Sequence, residues 1–349
     1  MAAADMGEID LVIEPFDWDP RLQVPTPAIP SPSLDLRFHA VAALDARTPG
    51  RLYGPRDLRR SQRIVDGTAL RERFEVRSGP ALLEISGRGG DCASSWVFLQ
   101  RLPGYPDRLA GARPTLRIPV PTCQASFADT VEIPAGEFYR SAESRDGSEE
   151  WIDSIAHLPT FHLDRTEVTR AAFAIYGALE PLSGDGAART AYLDLDRPGG
   201  ERLPVVGVSA FTASSYCRFL GKSLPTLDQW LKAMRGGLTI GGAPNPDPRR
   251  AMPWIGAPER PANIKGDEDG YPNLAPVGSF PLDRSPYGIM DLGGNVSEWS
   301  RDVMEAPSVR GLRVILGPNW DIPREYVHFR NMRPDRALDF TNGIRCVRE

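Results

Sequence analysis

The chain has 349 residues, of which 41% are apolar and 25% are charged, a composition typical of soluble globular proteins. The net charge of -5 excludes the basic balance of nucleic-acid-binding proteins, and no run approaches the roughly 18 apolar residues of a membrane helix. We therefore expect no nucleic-acid partner and no membrane partner. The first residues lack the positive start and apolar core of a signal peptide, which favours a cytoplasmic location.

The chain opens with a proline-rich segment. Six prolines lie between residues 14 and 33, so this segment cannot be helical and is predicted to run extended, as a linker or arm. After it, five stretches alternate apolar and polar residues, which indicates strands at residues 34–40, 74–76, 81–85, 96–99 and 116–120. We predict an N-terminal segment over 1–33, and a small antiparallel β-sandwich domain over 34–125.

The four cysteines, Cys92, Cys123, Cys217 and Cys346, lie far apart in the sequence. Neither a CxxC redox motif nor a zinc knuckle is therefore present. We expect buried free thiols, and a Cys92–Cys123 bridge is the alternative.

The pattern changes near residue 125, where helix signals begin and a second domain over 126–349 is predicted. Three residues can cap helices at their N-termini: Thr166, Ser209 and Thr226. Thr226 and Gln229 match a capping box. The apolar residues that follow, Trp230, Ala233 and Met234, predict the buried face of that helix.

A glycine-rich loop motif lies at residues 293–299. Asn295 and Glu298 could place two oxygen ligands on one cation, while Gly294 would allow close approach of the backbone. Trp299 would anchor the loop in a core. A chain with so few regular elements must hold its loops by other means, such as bound cations.

Taken in order, the motifs of the C-terminal part resemble the formylglycine-generating enzyme, or sulfatase-modifying factor, superfamily. The resemblance covers roughly residues 128–349 and implies a modified C-type-lectin-like fold, an α+β fold with little regular secondary structure. In some bacterial relatives such a domain follows a protein kinase and a small β-domain. The matching motifs lie at residues 133–138, 164–169, 204–209, 216–226, 253–254, 262–264, 276–281, 294–299 and 343–346.

The resemblance implies two structural calcium sites. One matches Asn263, Ile264, Asp269 and Tyr271, with Ile264 and Tyr271 contributing backbone carbonyl oxygens. The other matches Asn295 and Glu298, together with the carbonyl oxygens of Gly294 and Val296. Mixed amide, carboxylate and carbonyl ligands suit calcium. The alternative is that residues 265–270 form only an acidic turn.

The family's oxidase chemistry is not expected here. Formylglycine-generating members bind copper through a cysteine pair near the C-terminus, but no cysteine lies between Cys217 and Cys346. A gap-free count back from Gly343 places Ile322 and Val327 at the two cysteine positions. Without thiolates there is no soft ligand for copper. The histidines, His39, His157, His162 and His328, show no clustered spacing, so iron is not expected either.

The resemblance places the family's substrate groove near the segment that follows Gly317. Aromatic and charged residues gather there, which suits recognition of a protein or peptide partner. The alternative is a solvated loop folded over the core. The candidate binding residues are Trp320, Glu325, Tyr326, His328, Phe329, Arg330 and Arg333.

These observations favour a calcium-stabilised binding or regulatory module that has lost the oxidase activity. A second hypothesis is an enzyme of the same superfamily that uses other residues, with His328 and Glu325 as acid–base groups. A third is a scaffold subunit of a larger complex, possibly kinase-associated, with the proline-rich segment as its docking element.

Overall fold

The computed structural model describes residues 6–41, 52–55, 59–66, 68–77, 79–90, 92–102, 115–143, 151–179, 199–256, 258–265, 269–306, 309–323 and 330–349. The chain is mixed α/β, with few helices and many strands. In these ranges no helix is long and apolar enough to cross a membrane. The chain forms two compact units. The first comprises Met1–Ala128, Ala171–Thr190 and Ser214–Lys222, and the second comprises Asp129–Arg170, Ala191–Ala213 and Ser223–Glu349.

The first unit contains two β-sheets. A five-stranded sheet has the order β2-β1-β6-β5, with β9 also paired to β1, and a four-stranded sheet has the order β4-β3-β7-β8. All five strand stretches indicated by the sequence are found. The strands are β1 Met6–Asp19, β2 Val24–Pro27, β3 Asp35–Val41, β4 Leu52–Pro55, β5 Arg59–Asp66, β6 Ala69–Arg77, β7 Gly79–Ser86, β8 Ser95–Leu102 and β9 Thr115–Pro121.

The proline-rich segment is extended in its strands, as predicted, but it turns back at residues 20–23, so that β2 pairs antiparallel with the end of β1. β1 also pairs antiparallel with β6 and parallel with β9, so it lies inside the sheet. Ile9, Leu11 and Ile13 are fully buried there. The alternation of apolar residues along β1 therefore reflects a core strand, and the first unit shows no boundary at residue 33.

A ring contact joins the two sheets of the first unit. Phe38 of β3 and Phe74 of β6 meet edge to face with their centroids 5.3 Å apart. Both side chains are buried. A β-sandwich stays the prediction for this unit.

Helical segments complete the first unit. Most of the helix Arg170–Gly177 and the second half of the helix Ala210–Phe219 belong to it, together with the short helix Cys123–Phe127. The Phe219 ring lies 5.6 Å from Tyr176 and 6.3 Å from Phe16 of β1. Ser126 Oγ donates to the carbonyl of Leu220 over 2.6 Å, just beyond the helix end. The N-terminal strands thus pack against helices of the family-like region.

The second unit is built on the helix Leu227–Arg235, whose predicted capping box is confirmed. Thr226 Oγ1 accepts from the Gln229 amide, and Gln229 Oε1 accepts from the Thr226 amide. Trp230 lies in the buried core, as do Ala233 and Met234. The other elements are β10 Thr130–Ile133, β11 Gly136–Glu143, β12 Trp151–Leu158, β13 Phe161–Asp164, a 3-10 helix Gly200–Arg202, β14 Thr239–Ile240, β15 Ala243–Pro244, β16 Ser297–Ala306, β17 Val309–Leu316, β18 Arg330–Pro334, β19 Asn342–Gly343 and β20 Val347–Arg348.

Candidate functional site

The glycine-rich loop lies in the interior of the second unit. A side-chain carbon on Gly294 would approach the Asn263 carbonyl oxygen to 2.4 Å, and one on Gly293 would meet the Trp254 ring at 2.3 Å. Only glycine therefore fits at either position. Asn295 adopts a left-handed backbone with φ of 64°, a region that asparagine tolerates better than most residues.

The two predicted calcium sites lie side by side. The Asn295 amide donates to the Asn263 carbonyl over 2.7 Å. The two side chains are also joined, since Asn263 Nδ2 donates to Asn295 Oδ1 over 2.9 Å. Asn295 Oδ1 accepts a second hydrogen bond from the Ala275 amide, at 3.0 Å. These contacts leave Asn295 Oδ1 with two donors and no need of a cation.

The first predicted site fits a hard cation. Asn263 Oδ1 and Asp269 Oδ2 are buried, and neither has a hydrogen-bond partner among the described residues. The other oxygen of Asp269 accepts from the Tyr271 amide over 2.9 Å, which holds the carboxylate in place. A buried oxygen without a donor is costly in a folded protein. A calcium ion would satisfy both oxygens, with the carbonyls of Ile264 and Tyr271 adjacent in the chain.

Calcium would bind here through a donor set poor in carboxylates. Nowhere in the described ranges do three or more His, Cys, Asp or Glu side chains form a group that could hold a metal ion. An ion at this site would be held by the Asp269 carboxylate together with amide and carbonyl oxygens, as the resemblance implies.

Glu298 does not behave as the second site requires. Its Oε1 accepts from Arg345 Nε over 2.7 Å, and its Oε2 accepts from the Trp230 indole over 2.9 Å. Both carboxylate oxygens thus already have a charged or polar donor. Ligation of calcium by Glu298 stays a prediction, and these two hydrogen bonds compete with it. Val296 donates its amide to Glu167 over 3.0 Å.

Sequence reasoning missed three buried carboxylates around this loop. Glu167 accepts from Asn295 Nδ2 over 2.9 Å. The helix begins only at Arg170, so Thr166 is not its N-cap. Asp283 accepts from the Gly293 amide over 2.9 Å, and Asp291 accepts from the Gly278 amide over 2.7 Å. The clearest signal was the Glu167 motif, which the family resemblance had already singled out.

Burial perturbs the whole acidic cluster. It raises the pKa of Asp291 to about 6. Burial, with the Asp291 charge as the second cause, also raises the pKa values of Glu167 and Asp283 well above their ordinary range. The pKa of Glu298 is raised by burial although Arg345 opposes the shift. At each of these carboxyl groups the effect of burial on the pKa therefore outweighs the opposing effect of the Arg345 charge.

The predicted recognition surface is described only in part. Residues 324–329, which include Glu325, Tyr326, His328 and Phe329, lie outside the described residues, and so does the Arg330 side chain. The Trp320 amide donates to the Asn295 carbonyl over 3.0 Å, which places this residue beside the glycine-rich loop. Arg333 contacts Asp339 at 3.4 Å. The idea of convergent His328 and Glu325 stays untested.

The cysteines are not free thiols, so that expectation is wrong and the alternative is confirmed. Cys92 and Cys123 form a disulfide with Cα atoms 5.5 Å apart. Cys217 and Cys346 are disulfide-bonded as well. The sequence did not indicate that Cys217 and Cys346 are disulfide-bonded, because a disulfide depends on distances in the fold and not on spacing in the sequence. Of the two positions that the gap-free count assigns to the family cysteines, Ile322 lies within the described residues and Val327 lies outside them.

Comparison with known proteins gives the relatives of the chain. The chain is 41% identical to a mouse protein named inactive C-alpha-formylglycine-generating enzyme 2, over 34% of this chain and 38% of that protein. It is 27% identical to serine/threonine-protein kinase pkn1 of Chlamydia caviae, over 64% of this chain and 38% of the kinase. It is 30% identical to a formylglycine-generating enzyme of Streptomyces coelicolor, over 49% of this chain and 68% of the enzyme.

The chain thus spans less than two fifths of the first two relatives. A family model described as the sulfatase-modifying factor enzyme 1-like domain matches residues 116–349, which is two thirds of the chain. The ordered motifs of the C-terminal part predicted this match. The chain belongs to the sulfatase-modifying factor family.

Proposed function

We propose that this chain is a family member without formylglycine-generating oxidase activity, and that it works as a calcium-stabilised binding module. The observation that carries the proposal is the cysteine inventory. No cysteine lies between Cys217 and Cys346, and both of these are disulfide-bonded. No thiolate remains to bind copper or to exchange with a substrate cysteine. The similarity to a relative named inactive supports this.

The test is a direct assay for oxidation of a cysteine peptide. The chain and the Streptomyces coelicolor enzyme would be incubated with copper, oxygen and the same cysteine-containing substrate peptide of that enzyme. Mass spectrometry would follow the loss of the thiol. We expect conversion by the relative and an unchanged peptide with this chain. Conversion by this chain at a comparable rate would overturn the proposal.

Calcium is the proposed structural ion. Asn263 and Asp269 would hold it through their side-chain oxygens, and Ile264 and Tyr271 through backbone carbonyls. Bound there, calcium would neutralise the Asp269 carboxylate and tie the ends of the 263–271 loop together. We expect elemental analysis to find calcium and a chelator to lower the melting temperature. Melting that is indifferent to the chelator would contradict this.

A regulatory role is the finer proposal. The similarity to a protein kinase of Chlamydia caviae over 64% of this chain supports a module that serves a kinase by binding its partner.

The disulfides bear on the cellular compartment, because such bonds persist in oxidising environments and are rare in the cytosol. They weigh against the cytoplasmic expectation. Alkylation of the denatured protein, without reductant, should modify no cysteine; modification of all four would restore that expectation.

A further inference from the structure

Within the described part of the chain, one sheet of the second unit ends at a strand that has a neighbour on one side. β18 is the terminal strand in the order β18-β17-β16-β19, and among the described strands it pairs with β17 alone. The Met332 amide donates to Asn331 Oδ1 over 2.7 Å, and the Met332 carbonyl accepts from Arg333 Nη1 over 3.1 Å. Both backbone groups are thus capped by side chains of their own neighbours. Because these caps are local and exposed, the backbone of another strand could replace them at this edge.

Three exposed apolar side chains lie on this strand or shortly after it in the chain. Met332 is 41% exposed, Leu338 is 47% exposed and Phe340 is 50% exposed. Met332 belongs to β18, while Leu338 and Phe340 belong to the segment between β18 and β19. Large apolar side chains that stay in water so close together in sequence are typical of a contact surface.

The turn that carries them is held in place. The Ala337 amide donates to the Pro334 carbonyl over 2.9 Å, and the Gly207 amide donates to the Asp339 carbonyl over 3.1 Å. Arg333 adds its contact to the Asp339 carboxylate at 3.4 Å. The apolar side chains are therefore presented by an ordered turn, which lowers the entropy lost on binding.

The charge of the segment selects the partner. Asp335 is paired with Arg313 at 3.2 Å, and both are nearly buried. Asp339 is paired with Arg333. Arg336 is exposed, and no described residue forms an ion pair with it. Among the described side chains of this segment, the charge that is left without an ion pair is thus positive, which complements an acidic ligand.

We propose that the β18 edge binds an extended peptide segment of alternating apolar and acidic residues. The main chain of the peptide replaces the caps on Met332, its apolar side chains contact Met332 and Leu338, and an acidic residue pairs with Arg336. This mode of binding adds a strand to an open sheet edge. The inference deepens the proposed binding function and rests on it.

The experiment uses three fluorescein-labelled seven-residue peptides and fluorescence anisotropy. The first alternates valine and glutamate, the second alternates valine and lysine, and the third is the first with N-methylated backbone amides. We expect saturable binding of the first peptide. The lysine peptide should bind at least about tenfold more weakly, because its charge is wrong. The N-methylated peptide should not bind, because it cannot pair with the strand.

Two variants locate the site on the protein. Two substitutions at exposed positions, Arg336→Glu and Leu338→Ser, should each lower the affinity for the valine–glutamate peptide by about tenfold. That is a difference of about 1.4 kcal/mol in the binding free energy. Ile255→Ser, at another exposed apolar position, is the matched control and should leave binding unchanged.

Absence of saturable binding, or equal binding of the N-methylated peptide, would overturn the inference. Neither result touches the oxidase assay, which alone decides whether the chemistry has been lost. Oxidation of the cysteine peptide would instead overturn the proposed function while leaving the result for the strand peptides intact.

Discussion

Arg345 Nε donates to Glu298 Oε1 over 2.7 Å, and the two side chains are 0% and 2% exposed. The remaining guanidinium nitrogens donate to backbone carbonyls of Asp164 and Met290, both at 2.9 Å. Through Arg345, Glu298 of β16 is therefore linked to the end of β13 and to the loop at Met290.

Removal of one member of this pair should be costly. Glu298→Gln removes the charged acceptor of Arg345 Nε in a buried ion pair, so we expect a loss of about 3–5 kcal/mol in the free energy of unfolding. Urea unfolding measures it. The loss should be the same with calcium and with chelator, since both Glu298 oxygens bond to protein groups. A loss that appears only with calcium present would restore Glu298 as a ligand.

The control and the rescue for that variant come from the same chain. Glu349→Gln breaks the exposed pair with Arg301 and should change stability by no more than about 0.5 kcal/mol. The double variant Glu298→Gln/Arg345→Met removes the stranded charge. It should be more stable than Glu298→Gln alone, and additive losses would argue against a coupled pair.

Asp269→Asn tests the calcium loop. The substitution keeps an oxygen for the Tyr271 amide but removes the negative charge on the buried oxygen. We expect calcium affinity to fall by about tenfold or more, because affinity depends on the number of charged ligands. Calorimetric titration of the metal-free protein measures it. Asp321→Asn, an exposed carboxylate paired with Lys265, is the control and should titrate as the unsubstituted protein does.

Lys232 predicts a particular pH dependence. It is buried, its Nζ donates to the carbonyls of Pro134 and Gly136 at 2.6 and 3.1 Å, and burial lowers its pKa to about 8. The unfolded chain holds this proton up to higher pH, so the Lys232 contribution to stability increases as pH rises from about 8 towards 10.5. It is lost as pH falls through about 8.

The measurement compares the protein with Lys232→Met. At pH 7 the variant should be less stable by about 1–3 kcal/mol, because two buried carbonyls lose their donor. The advantage of the unsubstituted protein should grow between pH 8 and pH 10. Lys265→Met, at an exposed position, should show no such growth. A difference independent of pH would exclude a lowered lysine pKa.

Phe16 tests the packing of the N-terminal strand. Its side chain is buried within the first unit and stacks on Phe219. Phe16→Ala should cost about 3–5 kcal/mol, the range for a large core aromatic residue. Leu22→Ala, in the same segment but 69% exposed, should cost less than about 0.5 kcal/mol. Equal unfolding of both variants would show that the segment is a detachable arm.

The sequence predicted the features that depend on neighbouring residues. The capping box of Thr226 and Gln229 spans three residues, and the Ser209 cap bonds to the Thr212 amide, again three residues away. Such bonds are decided locally, and the residue types signal them directly.

The partners that lie far apart in the chain were not predictable. Glu298 and Arg345 are 47 residues apart, and Glu167 reaches Asn295 across 128 residues. β1 finds β9 roughly a hundred residues later. A pattern can mark such residues as unusual, but the fold alone decides which of them meet. The glycine-rich loop motif suggested Asn295 and Glu298 as calcium ligands, but it gave no sign that Glu298 is paired with Arg345.

The order of the chain through the two units has a consequence for dissecting the protein. The chain passes from the first unit to the second after residue 128, and then returns for residues 171–190 and again for residues 214–222. No single cut in the chain therefore separates one unit from the other. A fragment that ends at residue 128 would lack the later residues that complete the first unit.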